Sequence, residues 1–236
     1  VKLKFYLSAG VFLIVLHAHG QGTIFVNLDF ESAALQSTTP SPTPGVPTVD
    51  IAEALPGWSA FIGTNPVTKV MYNNQTLDTS SIALLSFDYF GSARVIDDVY
   101  SVFFLAGRGG NGSGSLLNTD TRLYQTGFIP ANAASLRFKA KEVVFPATFV
   151  VSLDQQSLSV MPLQTTAEYT LFGVDVTSFR GQTKELSFTI PSIGVGRGFV
   201  LDSISFSDQA IPEPSVIGLF LVGALLLGRR VKRKAA

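Results

Sequence analysis

The chain has 236 residues, no cysteine and a formal net charge of zero, with 46% hydrophobic and 14% charged residues. That length suits one medium domain with appendages, and zero cysteine excludes disulfides, thiolate nucleophiles and Cys-ligated metals. The charge is segregated: residues 21–210 carry 10 Lys+Arg against 16 Asp+Glu, a net of −6, while the other seven basic residues sit at the two ends. An acidic middle offers no basic face to a phosphate backbone, which argues against nucleic acid as a partner of the main domain.

The chain opens "VKLKFYLSAGVFLIVLHAHGQG". Lys2 and Lys4, an apolar run from Phe5 to Leu16, and small residues at Ala18 and Gly20 form the pattern of a secretory signal peptide. The run is shorter than the roughly 20 residues a stable membrane-spanning helix needs. Residues 1–20 are therefore expected to be removed by signal peptidase after Gly20. Removal would take both histidines, His17 and His19, with it.

From residue 21 the apolar pattern has period 2, the signature of half-buried antiparallel strands. "TIFVNLDF" places Ile24, Val26, Leu28 and Phe30 on one face of an expected first strand. Residues 37–50, "STTPSPTPGVPTVD", are too rich in proline for a central strand and read as a long surface loop. "SIALLSF", "VYSVFFLAG", "RLYQTGF", "SLRFKAK", "ATFVVSL", "EYTLFGVDV", "ELSFTI" and "GFVLDSISF" follow as strands, with a hairpin turning at Asp154 to Gln156. No helix is expected between residues 21 and 208. Nine or more short strands over this span predict an all-β fold, a two-sheet antiparallel sandwich of jelly-roll type occupying residues 21–208.

Catalytic chemistry finds little support. Without histidine or cysteine the processed chain cannot build a Ser-His-Asp triad or a His-ligated zinc site. Carboxylate chemistry of the glycoside-hydrolase kind needs two acids at a set separation, and adjacent Asp97-Asp98 would point to opposite faces of a strand. "GRGGNG" at 107–112 formally matches G-x-G-x-x-G, but it continues as "SGSLLNTD" between strands and does not open a helix. No catalytic residue is assigned.

Two binding features are candidates. Trp58, the only tryptophan, stands in "LPGWSAF" and can stack a sugar ring or fill the core; neighbouring Phe61 and Ile62 weigh toward the core. Asp202 in "FVLDSISF" shares the period-2 face of Val200, Ile204 and Phe206, which aims a carboxylate inward. A buried charge needs hydrogen bonds or a cation. Either backbone N–H groups at a bend satisfy Asp202, or a structural calcium does, with Asp29 and Glu31 as further ligands if the terminal strands adjoin. No cofactor is otherwise required.

The chain closes "IPEPSVIGLFLVGALLLGRRVKRKAA". The thirteen uncharged residues 216–228 reach only about 20 Å as a helix. Their position after Pro212 and Pro214, and the five basic residues among the six that follow, still mark a short transmembrane helix with a cytoplasmic basic end at 229–236. Pro212-Glu213-Pro214, a short apolar helix and the cluster opening with Arg229 and Arg230 together resemble the PEP-CTERM sorting signal of exopolysaccharide-producing bacteria. The resemblance covers residues 211–236 and implies recognition and processing of the tail by a membrane-embedded exosortase. "LDFES", "ALPGW", "YTLFGVDVTSFRGQTKELSF" and "LDSISFS" are similar, less specifically, to galactose-binding-type jelly-roll ectodomains that precede such tails. In those domains acidic residues on the terminal strands can hold calcium.

These readings converge on an exported, envelope-sorted surface or extracellular-matrix protein that is non-catalytic and has exopolysaccharide as its candidate ligand. A purely structural or adhesive surface protein is the alternative, and a carboxylate glycoside hydrolase or lyase ranks third.

Overall fold

In a computed structural model of the chain, the described residues are 23–212 apart from 37–38, 41–45, 111–115, 145–147 and 194–195. The expected signal peptide, and the sorting tail beyond Pro212, lie outside them. Sixteen strands follow in order: β1 Thr39–Pro40, β2 Pro47–Asp50, β3 Ser59–Ile62, β4 Asn65–Pro66, β5 Lys69–Tyr72, β6 Ser81–Ser86, β7 Tyr100–Gly110 and β8 Leu116–Thr119. The second half adds β9 Thr121–Phe128, β10 Ser135–Val144, β11 Val150–Leu153, β12 Gln156–Ser157, β13 Met161–Thr165, β14 Thr170–Asp175, β15 Thr183–Ile190 and β16 Arg197–Ser207. Two single helical turns, α1 Ile51–Ala54 and α2 Phe87–Phe90, interrupt the strands; the sequence pattern had predicted none. Among the described residues no helix is long and apolar enough to cross a membrane.

The strands form two sheets, a larger one ordered β1-β2-β5-β6-β7-β16-β10-β14-β13 with β8 beside β7, and a smaller one ordered β12-β11-β15-β9-β3-β4. Pairing is antiparallel except between β5 and β6. The chain is thus an all-β sandwich, as the periodicity predicts. The core lies between the sheets. Phe104, Phe138, Phe199 and Leu201 of the larger sheet meet Leu123, Leu186, Phe188 and Ile190 of the smaller. Period-2 reading placed Leu136, Phe138 and Ala140 inward on β10, and all three are buried. The predicted hairpin also forms, with Asp154 and Gln155 both at positive φ between β11 and β12.

Two expectations for the N-terminal part need correction. Residues 24–30 are not a strand: Ile24 makes one isolated parallel bridge to Phe128, and Asn27 and Phe30 adopt φ of 50° and 62°. The left-handed residues break the alternation, so Ile24 and Val26 are exposed while Phe25, Leu28 and Phe30 turn to the core. The segment does lie beside β16, where Ile204 N–H donates to Leu28 C=O at 2.9 Å. The Pro-rich stretch 37–50 is not wholly loop either. Its end is β2, paired with β5 and carrying buried Val49. Pro47 is tolerated because it is the strand's first residue.

A second, smaller apolar cluster covers the outer face of the larger sheet. Ala83, Leu85, Phe103, Leu105 and Val200 project outward and are capped by Phe90, Val95 and Ile96 from the segment 87–98. The first four residues of the formal nucleotide motif are strand, since Gly107 to Gly110 pair with β8; the rest lies outside the described residues. Gly107 is demanded by close approach: a Cβ there would stand 2.0 Å from the Asp78 carbonyl oxygen.

Candidate functional site

Leu55, Pro56, Gly57 and Trp58 make a tight turn in which Trp58 N–H donates to Leu55 C=O at 3.0 Å and Gly57 takes φ of 84°. Proline followed by a residue at positive φ is the type II arrangement. The turn drops Trp58 into the core, where it is 3% exposed, with ring centroids 5.7 Å from Phe30 and 6.4 Å from Phe188. Its Nε1–H donates to Asn27 C=O at 2.9 Å. Trp58 therefore packs and presents no open ring face to a sugar. Trp58→Phe keeps most of the packing but removes the shorter of two hydrogen bonds to the Asn27 carbonyl, leaving only Phe30 N–H at 3.4 Å, so the urea midpoint should fall by the equivalent of about 1 kcal/mol.

Asp202 is 1% exposed, but it points outward from the sandwich core and not toward it. Between the pairs Ser205–Arg137 and Asp202–Lys139, two residues of β16, Ser203 and Ile204, oppose the single Phe138 of β10, and Ser203 sits at φ of 49°. This bulge flips the face. Val200 and Asp202 lie under the covering segment 87–98, whereas Ile204 and Phe206 pack in the inter-sheet core. Asp202 accepts from Ser101 Oγ at 2.6 Å, Ser203 N at 2.6 Å and Asp97 N at 3.2 Å. Burial nevertheless dominates and pushes its carboxyl up to about 7, with the nearby Asp97 charge adding to the rise.

Asp97 belongs to the same network. Lys139 and Ser203 both donate to its carboxylate. Burial alone would raise Asp97, but those two bonds outweigh it and hold the carboxyl below its ordinary value. On Lys139 the partial burial favours the neutral amine, yet Asp97 prevails and the ammonium is stabilised. A lysine so held is a cation and not a general base.

Asp29 and Glu31 lie elsewhere in this arrangement. Glu31 accepts from the N–H groups of Tyr100 at 2.8 Å and Val99 at 3.1 Å, and Asp29 Oδ1 from Glu31 N–H at 3.3 Å. Desolvation raises Glu31, and Asp98 and Asp29 add like charge. Among the described residues no group of three or more His, Cys, Asp or Glu could hold a metal ion. The expected calcium set of Asp29, Glu31 and Asp202 is not assembled, because Asp202 is engaged beneath the covering segment by protein donors.

What the sequence reading missed is a cleft of about 280 Å³ where the later half of β10, the β13–β14 turn and the start of β16 meet. Its floor is aromatic. Phe149 stands 5.1 Å from Phe172 and 4.7 Å from Phe199 between ring centroids. Its rim is polar, formed by Lys141, Glu142, Thr166, Glu168, Tyr169 and Thr170. The turn is rigidly built: Thr166 Oγ1 accepts from the N–H groups of Glu168 and Tyr169, both at 3.1 Å, and donates to Tyr169 C=O at 3.0 Å. Lys139 Nζ lies 4.6 Å from the Tyr169 ring centroid, a cation–π contact. Lys141 donates to Ser92 C=O at 3.1 Å and Glu168 Oε2 at 3.3 Å. Two lysines thus tie the covering segment to the cleft rim. An aromatic floor beside convergent polar groups is the chemistry of a small-ligand site that suits a sugar ring, apolar on its faces and hydroxylated at its edge.

No protein-family model and no curated protein matches the sequence. Solved structures resemble it remotely. They include a family 11 carbohydrate-binding module from Clostridium thermocellum, with TM-score 0.37 and 10% identity over 70% of this chain and 96% of that one. The K2 cleaved adhesin domain of Lys-gingipain gives TM-score 0.36 and 14% identity over 74% of this chain and 96% of that one. The enzymatically active domain of bacteriophage CBA120 tailspike protein 4 gives TM-score 0.36 and 16% identity over 64% of this chain, which spans only 19% of its length. Likeness at this level carries nothing about ligand or activity.

Proposed function

We propose that this chain is an exported, non-catalytic surface or matrix protein whose β-sandwich binds polysaccharide in the Tyr169 cleft. One observation carries the reading: Phe149, Phe172 and Phe199 floor a concave site whose rim holds Tyr169, Thr166, Thr170 and charged side chains. Sorting to the envelope rests on the resemblance of residues 211–236 to a PEP-CTERM tail, with Pro212, Glu213, Pro214, Arg229 and Arg230 as the recognised elements and signal peptidase and exosortase as processing enzymes. In this reading the tail helix anchors the protein to the membrane, transiently or stably, while the sandwich remains outside.

Calorimetric titration of the 236-residue chain with exopolysaccharide of the producing organism tests the cleft. Tyr169→Ala should weaken binding about tenfold, the scale of an aromatic anchor in a binding site. Tyr124→Ala, on the smaller sheet, should leave it unchanged. Equal binding by wild type and Tyr169→Ala would remove the cleft from the function, and no saturable binding would leave a structural or adhesive surface protein. Release of new reducing ends during the titration would instead bring back a carboxylate hydrolase, for which Glu142 and Glu168 are the acids at the site. Intact mass of protein from its native envelope tests the address: an unprocessed 211–236 segment would exclude exosortase processing.

A further inference from the structure

Charge at the cleft rim is unevenly committed. Among the described lining residues Lys141 is the only cation, and that ammonium is already held by Ser92 C=O and the Glu168 carboxylate, with its side chain only 21% exposed; Lys139, over the Tyr169 ring, is held in turn by Asp97. Glu142 also lines the cleft and is exposed, yet its carboxylate has no hydrogen-bond or ion-pair partner among the described residues. The rim therefore offers an incoming ligand one free carboxylate and no free cation. The surrounding field has the same sign, since residues 21–210 carry a net charge of −6. A uronate-bearing glycan would meet repulsion from both the rim and the field, whereas a protonated amine on a sugar would complete an ion pair above the aromatic floor.

Resting on the glycan-binding reading, we propose that the cleft selects amino-sugar polymers with free amines, and that Glu142 is the residue that reads the ammonium. Two features separate this from general attraction of a cation to an acidic protein. Glu142 belongs to a concave site, and the same cleft is lined by Phe149, Phe172 and Phe199, which give a sugar ring an apolar seat.

The test titrates the 236-residue chain, at low ionic strength and mildly acidic pH, with three oligosaccharides of equal length: glucosamine, N-acetylglucosamine and galacturonate oligomers. The glucosamine oligomer should bind about tenfold more tightly than its N-acetylated counterpart, as a charge-assisted hydrogen bond predicts, and the galacturonate oligomer should not bind. Glu142→Gln should abolish that preference. Asp208→Asn, which removes one exposed carboxylate from the end of the sandwich, should keep it. Equal affinity for the amino and N-acetyl oligomers, or the same loss of preference in both variants, would overturn the assignment of Glu142. So would failure of all three oligomers to bind while the organism's own polysaccharide still binds, an outcome that leaves the glycan reading standing.

Discussion

Phe138→Ala is expected to lower the free energy of unfolding by about 3–5 kcal/mol, the range for truncating a fully buried phenylalanine. At 2–4 °C per kcal/mol for a domain of this size, the midpoint should drop by roughly 10 °C. Phe138 has no exposed surface and lies at the centre of an aromatic cluster, with ring centroids 5.1 Å from Phe188, 5.5 Å from Phe172 and 5.6 Å from Phe149. Phe188 belongs to the smaller sheet, so this one ring joins both layers. Phe149 and Phe172 are also the cleft floor, and a cavity behind them should let both rings move. The variant should therefore lose glycan affinity under conditions where it remains folded. Phe138→Leu, which leaves a smaller void, should show about half the destabilisation. Thermal unfolding with and without ligand reads both effects. A midpoint within about 2 °C of wild type would mean that Phe138 is not the packing centre described here.

Alternation along single strands was enough to find the sandwich, because it is a local property. β10 and β15 announce their buried faces in seven or eight residues, and those faces are the ones that meet in the core. The errors fall where backbone conformation breaks the period. Asn27 and Phe30 at positive φ turned an expected first strand into a loop, and the bulge at Ser203 carried Asp202 to the opposite face from Ile204. Neither carries a glycine to warn of it. The cleft was invisible for a different reason. Phe172 and Phe199 come from β14 and β16, which flank β10 in the larger sheet, while Phe149 directly precedes β11 of the smaller sheet, so strand pairing and the packing of the two sheets are both needed to bring the three rings together. Lys141 would lie on the solvated face of β10 were it not for the covering segment 87–98, which supplies the Ser92 carbonyl.

That covering segment makes the second large effect a dependence on pH. Asp202 has an ordinary value of 3.8 and is pushed up to about 7 in the fold, chiefly by burial. Between those two values the folded chain keeps a proton on Asp202 that the unfolded chain has released. The stability that this proton supplies is fully present below pH 3.8 and declines as pH rises, being lost once about pH 7 is passed. At about 1.4 kcal/mol per pKa unit, the whole change amounts to at most about 4 kcal/mol. Asp97 and Asp154, both held below their ordinary values, act in the opposite direction and lose their contribution as pH falls. The raw profile therefore mixes several groups, and the difference between two proteins isolates one. Asn is the neutral isostere of protonated Asp: its single oxygen can still accept from Ser101 Oγ and the Asp97 N–H, while its NH2 faces the Ser203 N–H, a loss that does not vary with pH. Relative to wild type, Asp202→Asn should therefore gain on the order of 3–4 kcal/mol between pH 4 and pH 8, whatever its constant offset. Urea midpoints at four or five pH values measure the difference directly. Parallel profiles would show that Asp202 stays ionised in the fold, with its three donors sufficient to offset burial. Because Asp97 links through Lys139 to Tyr169, and Ser92 through Lys141 to Glu168, ionisation of Asp202 loads the same segment that braces the cleft rim. Glycan affinity measured across the same pH values should weaken toward pH 8 in wild type more than in Asp202→Asn.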